Sequence, residues 1–350
     1  MKLFCCLVLS ILETLLIFFT RCFSQKPVCA RAKEFIFCRL LNLICESDVF
    51  IMFPRPFDYF APENLPEALG LLQNADAQMK ILAGGQTLIP ALKMRNSPLF
   101  SEVKSVVDIT RIKELNFIRK EGQLVKIGAL TTVAALGNNQ EIASLLPIVK
   151  DAALEIADPL VRNLGTVGGN LCYPDPVNDL PATMIALDAS VLLASVGGNR
   201  KVDVEALYAG AFKTIVKPSE ILTEVEIPLE TARCGNAYRK IKKGSGGFTI
   251  AGVAANLSIK DDNSISACRM ALTAVGPKAL RVQTAEQALV GKKIKPPVLD
   301  NVAGIAVEAS QPVSDLYASE GYRRKVLSLL VKDALEASYK RAVMGSYEKS

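Results

Sequence analysis

Leu164-Gly165-Thr166-Val167-Gly168-Gly169-Asn170 runs without a break into Leu171-Cys172-Tyr173-Pro174-Asp175-Pro176-Val177-Asn178-Asp179-Leu180-Pro181-Ala182. The first half reads as a glycine-rich turn. Glycine lets the main chain approach a ligand closely and adopt positive φ, and successive amide N–H groups then form an anion-binding nest. The second half, with two prolines and two carboxylates, reads as a stiff, polar, irregular stretch. Asp179 precedes a predicted helix over Pro181 to Leu187, so it is either a helix cap or a carboxylate accepting from a ribose hydroxyl. Asp175 reads equally well as a turn residue.

A second segment of the same design lies upstream. Lys80-Ile81-Leu82-Ala83 is a predicted strand leading into Gly84-Gly85-Gln86-Thr87, where the Thr87 hydroxyl adds a donor. A single Gly-Gly pair is ordinarily a tight turn, but two such segments in one domain suit a diphosphate held from two sides. Neither fits the dinucleotide fingerprint G-x-G-x-x-G or a P-loop. Downstream, Lys240, Lys242 and Lys243 precede Gly244-Ser245-Gly246-Gly247. This basic loop is either solvated surface or a phosphate or flavin contact.

Around these segments the pattern alternates helices and strands. Asn64-Leu65-Pro66-Glu67 opens a helix, and strands follow at Ser105–Ile109 and Leu124–Ile127. A small helix starts at Thr131, and a longer one runs from Glu141 to Ile156 with a kink at Pro147. Ser190–Ala194 and Ile221–Ile227 are strands, and Thr231 to Asn236 reads as a linker. Beyond it, Phe248–Ile259 and Ile265–Val275 should pair as a hairpin, followed by helices over Ala285–Leu289, Pro297–Ala309 and Tyr322–Ala342. The expected organisation is α+β: residues 52–229, then a smaller α+β domain over 236–343.

Composition narrows the chemistry. The chain of 350 residues has no His, which excludes Ser–His or Cys–His nucleophiles and imidazole metal ligands. A formal net charge of +6 is mild for this length and shows no basic run with interleaved aromatics, so no nucleic-acid partner is expected. Cys5, Cys6, Cys22, Cys29, Cys38 and Cys45 precede Met52, and only Cys172, Cys234 and Cys268 follow it. Three scattered cysteines build neither a disulfide framework nor a cluster site, which points to a reducing compartment, the cytoplasm, for the body of the chain. Residues 1–51 are read separately. Leu3 to Phe19 is nearly all apolar, as in a secretory segment or short membrane anchor, although Glu13 would cost roughly 2–3 kcal/mol in a membrane. The preferred reading is upstream sequence outside the fold, with Met52 as an ordinary start.

Three separated motifs together resemble a known family. Ala83-Gly84-Gly85-Gln86-Thr87-Leu88-Ile89-Pro90 with Lys93, Arg162-Asn163-x-Gly165-Thr166-Val167-Gly168-Gly169-Asn170, and Asp175-Pro176-x-x-Asp179-Leu180-Pro181-Ala182 are similar to the flavin-carrying medium subunits of carbon monoxide and xanthine dehydrogenases. The resemblance spans about Met52 to Ala342. It implies a vanillyl-alcohol-oxidase-type (PCMH) FAD-binding domain of two subdomains, followed by a smaller C-terminal domain. It implies that Ala83–Thr87 and Thr166–Asn170 bind the FAD diphosphate, with Asp179, Leu222 and Lys240 as further FAD contacts. A large molybdopterin subunit would oxidise the substrate, and a small subunit with 2Fe–2S clusters would relay electrons to FAD and on to NAD or another acceptor. There are departures: Gly247 stands before Phe248 where relatives often carry Asp, and no cysteine lies between Ala61 and Leu171 to hold a 4Fe–4S cluster. Non-covalent FAD is expected, with Cys172 a small buried apolar residue. Two competing readings are a stand-alone FAD-dependent oxidoreductase on the same fold and a non-enzymatic interaction protein whose glycine segments are plain turns.

Overall fold

A computed structural model describes residues 53–94, 102–230, 233–244 and 246–344, so the readings made of residues 1–51 lie outside it. Pro56–Leu92 and the described residues from 102 onward belong to one compact unit.

Its first layer is a parallel sheet in the order β1-β3-β2, built from Asp58–Phe60 (β1), Met79–Leu82 (β2) and Ser105–Asp108 (β3). Helix α1 (Leu65–Leu72) covers it. Asn64 caps this helix by accepting from the Glu67 amide at 3.0 Å, and Pro66 sits in the first turn where its missing N–H costs nothing. Ala68 and Leu72 of α1 bury against Val107, Ile109 and Ile112. Helix α2 (Leu88–Lys93) begins directly after the first glycine segment.

The second layer is an antiparallel sheet in the order β4-β5-β10-β6-β7. Its strands are Ile118–Glu121 (β4), Leu124–Gly128 (β5), Ser190–Ser195 (β6), Gly198–Asp203 (β7) and Ile221–Pro228 (β10), with the small hairpin Tyr208–Gly210 (β8) and Lys213–Thr214 (β9) beside it. Helices α3 (Val133–Asn138), α4 (Gln140–Leu145), α5 (Pro147–Glu155), α6 (Pro159–Leu164), α7 (Val167–Cys172), α8 (Asp179–Ala186) and α9 (Val204–Leu207) complete this part. The predicted kinked helix is two helices. The chain breaks at Leu146, because Pro147 has no amide to continue the ladder and serves as the first residue of α5.

The third sheet, in the order β11-β12-β13-β14, consists of Arg233–Lys242 (β11), Thr249–Ile259 (β12), Ile265–Thr273 (β13) and Leu280–Arg281 (β14). The expected hairpin is present, with Gly252 to Ile259 registered against Thr273 to Ile265. Helices α10 (Gln283–Leu289), α11 (Pro296–Ala309) and α12 (Glu320–Met344) pack on it. One expectation fails: Arg233 to Asn236 is not linker but the start of β11, paired with Ile259 to Asn256. The third sheet does not stand apart, because Tyr238, Ala254 and Ala271 join the core of the second layer. Among the described residues no helix is long and apolar enough to cross a membrane.

Candidate flavin-nucleotide site

The two glycine segments are far apart in sequence and touch in space. A Cβ added at Gly84 would lie 2.1 Å from the Leu164 carbonyl oxygen and 2.8 Å from the Gly165 Cα. A Cβ at Gly169 would lie 3.8 Å from the Ala83 Cβ. Only glycine permits main chain to meet main chain this closely. Gly85 takes φ +69°, and its carbonyl accepts from the Ile89 amide at 3.1 Å, which turns the chain into α2. Among the described residues, the amides of Gly84, Gly85, Gln86 and Thr87 donate to no protein acceptor, leaving a row of donors as a nest requires.

The second segment is organised differently from the expected turn. Thr166 is the N-cap of α7, accepting from the Gly169 amide at 3.2 Å, and Val167 to Asn170 form the first turn of that helix. Its amides are already used: Val167 donates to the Thr131 carbonyl at 2.9 Å, Gly168 to Ala129 at 2.9 Å and Asn170 to Thr166 at 3.0 Å. Gly168 is required by close approach, since a Cβ there would meet the Ala129 Cβ at 2.7 Å. What this segment offers a ligand is the side chain of Asn170, whose Oδ1 is buried without a hydrogen-bond partner. Such an atom is costly unless something else satisfies it.

Asp179 is not a helix cap. Asn178 holds that position, and its Nδ2 donates to the Tyr173 carbonyl at 2.7 Å and the Asn170 carbonyl at 3.3 Å, tying α7 to α8. Asp179 instead reaches the third sheet. Its Oδ2 accepts from Lys240 Nζ at 2.7 Å, and its Oδ1 accepts from the Tyr238 hydroxyl at 2.5 Å and Thr249 Oγ1 at 2.8 Å. The side chains are 5% and 2% exposed at Asp179 and Lys240. Lys240 therefore lies on a strand and is removed from solvent, against the reading of a solvated basic loop. Lys242 ends the same strand and pairs with Glu155 at 2.7 Å, while Lys243 is exposed. Burial first, and then the Asp179 carboxylate, push the Tyr238 phenol well above its ordinary value.

Leu222 lies on β10 with its side chain in the core at 4% exposure, so its main chain is what it can present. The next residue, Thr223, accepts from the Ala129 amide at 2.9 Å, which places this part of β10 behind Gly168. Asp175 takes the turn role: its Oδ1 accepts from the Val177 amide at 3.1 Å and its carbonyl from the Asn178 amide at 2.9 Å. Cys172, expected to be buried, is exposed at the end of α7. Sequence reading missed Thr249 and Gly252. Only Gly252 carried a signal, as a glycine inside a strand, which marks close approach. A cavity of about 470 Å³ is lined by Asp188, Arg269, Lys278 and Arg281 among others and shares no residue with the glycine segments. Arg269 pairs there with Asp188 at 2.6 Å and Arg281 with Glu205 at 3.2 Å, while Lys278 Nζ donates to the Tyr208 carbonyl at 2.8 Å.

Comparison with known proteins bears on this geometry. Residues 55–230 match the family described as the FAD binding domain in molybdopterin dehydrogenase, and residues 236–338 match the CO dehydrogenase flavoprotein C-terminal domain. The chain is 36% identical over 290 residues to the carbon monoxide dehydrogenase medium chain of Hydrogenophaga pseudoflava, covering 83% of this chain and 99% of that one. It is 34% identical to subunit alpha of the 6-hydroxypseudooxynicotine dehydrogenase complex of Paenarthrobacter nicotinovorans, covering 83% and 97%. A solved structure of carbon monoxide dehydrogenase from Hydrogenophaga pseudoflava superposes with a TM-score of 0.79 at 37% identity, covering 83% of this chain and 99% of that one.

Proposed function

The chain belongs to the family of FAD-binding medium subunits of molybdenum hydroxylases, and on that premise we propose that it carries electrons between partner subunits and NAD or another acceptor and does no substrate chemistry itself. The observation that carries this reading is the contact of Gly84 with Leu164 and Gly165, which joins an open row of amides to the segment bearing the unpartnered Asn170 Oδ1. These groups fit a flavin dinucleotide. The amides of Gly84 to Thr87 suit diphosphate oxygens, and the Asp179–Lys240 pair suits a hydroxyl, being acceptor and donor side by side. Gly169 faces Ala83 of the first segment, Thr166, Val167 and Gly168 fix the turn that places Gly169 and Asn170, and Ala83 and Leu222 contribute main chain.

FAD, when bound, supplies the electron-carrying chemistry; the chain supplies binding, orientation and electrostatics. The binding is non-covalent in this reading. In this reading a small partner with 2Fe–2S clusters would supply the electrons, a large molybdopterin partner would oxidise the substrate, and NAD, a quinone or oxygen would accept the electrons.

The test is stopped-flow absorbance at the flavin band. Chemically reduced FAD on the isolated chain is expected to be reoxidised by one of these acceptors. No organic substrate should reduce it until both partners are added. Rapid reduction of the isolated chain by an organic substrate would instead identify a stand-alone flavoenzyme.

A further inference from the structure

The Asp179 carboxylate is held more fully than an ion pair requires. Tyr238 and Lys240 stand two residues apart on β11 and so share one face of the strand, while Thr249 opens β12. Lys240 Nζ also donates to Thr249 Oγ1 at 3.2 Å, and Thr249 donates in turn to Asp179 Oδ1 at 2.8 Å. Gly252, opposite Lys240 in the register, leaves the space for this arrangement. A Cβ there would lie 2.4 Å from the Tyr238 hydroxyl oxygen.

Hydrogen-bonding capacity can be followed atom by atom. A carboxylate oxygen accepts about two bonds and an ammonium donates three. Asp179 Oδ1 is filled by Tyr238 and Thr249. Among the described residues Asp179 Oδ2 accepts only from Lys240, and Lys240 Nζ donates only to Oδ2 and Thr249. One acceptor and one donor remain, adjacent to each other. A hydroxyl donates once and accepts, so it matches that pair.

We propose that Tyr238 and Thr249 are positioning residues for the flavin nucleotide: by filling Oδ1 they reserve Oδ2, beside the Lys240 ammonium, for a sugar-type hydroxyl of FAD. The inference rests on the reading that Asp179 and Lys240 contact FAD, and adds two residues that touch no ligand. It also makes the third sheet part of the binding site, because Tyr238, Lys240 and Thr249 all come from it while Asp179 comes from α8. The buried phenol remains a protonated donor through the neutral range, since its ionisation lies well above the ordinary value.

The test is titration of the flavin-free full chain with FAD, followed by quenching of flavin fluorescence, with melting temperature recorded for each variant. Tyr238→Phe and Thr249→Val are each expected to raise the Kd for FAD about tenfold, the worth of one buried hydrogen bond. Thr249→Ser restores the parent value. Gly252→Ala alone reproduces the loss, but added to Tyr238→Phe it costs less than it does alone, because the hydroxyl at 2.4 Å is gone while the ring carbon at 3.2 Å and the Lys240 Cβ at 3.4 Å remain. Arg269→Ala is the control. It breaks a contact between the layers that does not involve Tyr238, the pair with Asp188 at 2.6 Å, and should lower the melting temperature without changing Kd. Parent affinity in both Tyr238→Phe and Thr249→Val, with Asp179→Asn weakened, overturns the positioning role while FAD binding at Asp179 stands. An equal loss in Arg269→Ala also overturns it, because a loosened interface would then account for everything. No FAD uptake by the parent chain overturns the underlying reading as well.

Discussion

At the residue scale, the site depends on places where a side chain would collide with main chain. The Leu164 oxygen that a Cβ at Gly84 would strike belongs to the backbone, so no rotamer change relieves the clash. Gly84→Ala is expected to weaken FAD binding at least a hundredfold, and Gly168→Ala to weaken it less, because its closest approach is 2.7 Å, to the Ala129 Cβ, against 2.1 Å at Gly84. Gly70→Ala serves as a control: nothing lies within 4 Å of its added Cβ, and alanine within α1 should stabilise by up to about 1 kcal/mol. Titration with FAD checks all three, and unchanged affinity in Gly84→Ala would reduce the segment to a plain turn. Residue chemistry also bears on how the flavin is held. With no His in the chain and Cys172 as the exposed cysteine among the described residues, acid precipitation is expected to release all yellow colour into the supernatant. Flavin in the pellet would point to Cys172.

At the scale of elements, the residue that leads into strand β10 is tied across β6 to β7 by a charge pair with a definite pH signature. Arg200 Nε and NH2 meet the Glu220 carboxylate at 2.7 Å and 2.8 Å, and the Lys217 amide donates to it at 2.8 Å. The Arg200 guanidinium, by hydrogen bonding, holds the Glu220 carboxyl below its ordinary value of 4.5. A depressed native value means the stability it adds is complete above the ordinary value and is lost as pH falls through the native one. Arg200 is 38% exposed, so the contribution is modest, about 1 kcal/mol. Glu220→Gln should lower the melting temperature by a few degrees at pH 7, and the difference from the parent should shrink progressively below pH 4.5. A difference that persists unchanged at pH 3 would show that the charge is not its cause. Strand β11 shows what element reading could not reach. Arg233 to Lys242 shows no clean alternation, because α12 packs on one side of it and α5 on the other, and its charged side chains find partners in α5, Arg239 with Asp151 and Lys242 with Glu155. It therefore read as a linker followed by a basic loop.

At the scale of the whole molecule, the fold is the FAD-binding PCMH-type domain with its smaller C-terminal domain, as the resemblance implied. Its core begins with α1, β1 pairs with β3 just before it, and the matched family region begins at residue 55. A chain starting at Met52 is accordingly expected to fold, to take up FAD and to join its partners. The checks are circular dichroism, FAD titration and co-elution with the small and large subunits. A Met52 chain that aggregates, or that leaves the partners unbound, would assign residues 1–51 a part in the fold or the assembly.

What the sequence by itself determined is the set of positions where chemistry is local. Gly84, Gly85, Gly168 and Gly169 announce close main-chain approach wherever they fold, and the spacing of three motifs carried the family. The hairpin of β12 and β13 was equally legible, because two long apolar runs around Asp261-Asp262-Asn263 have no other economical partner. Only the tertiary structure decided which partner each polar group takes. Asp179 could cap a helix on local grounds, and its actual partners lie 59, 61 and 70 residues away on another sheet. The same holds for the second glycine segment, whose amides looked free in sequence and are consumed by Ala129 and Thr131 in the fold. Propensity is set by neighbours along the chain, whereas hydrogen-bond satisfaction is set by whatever the fold brings within about 3 Å.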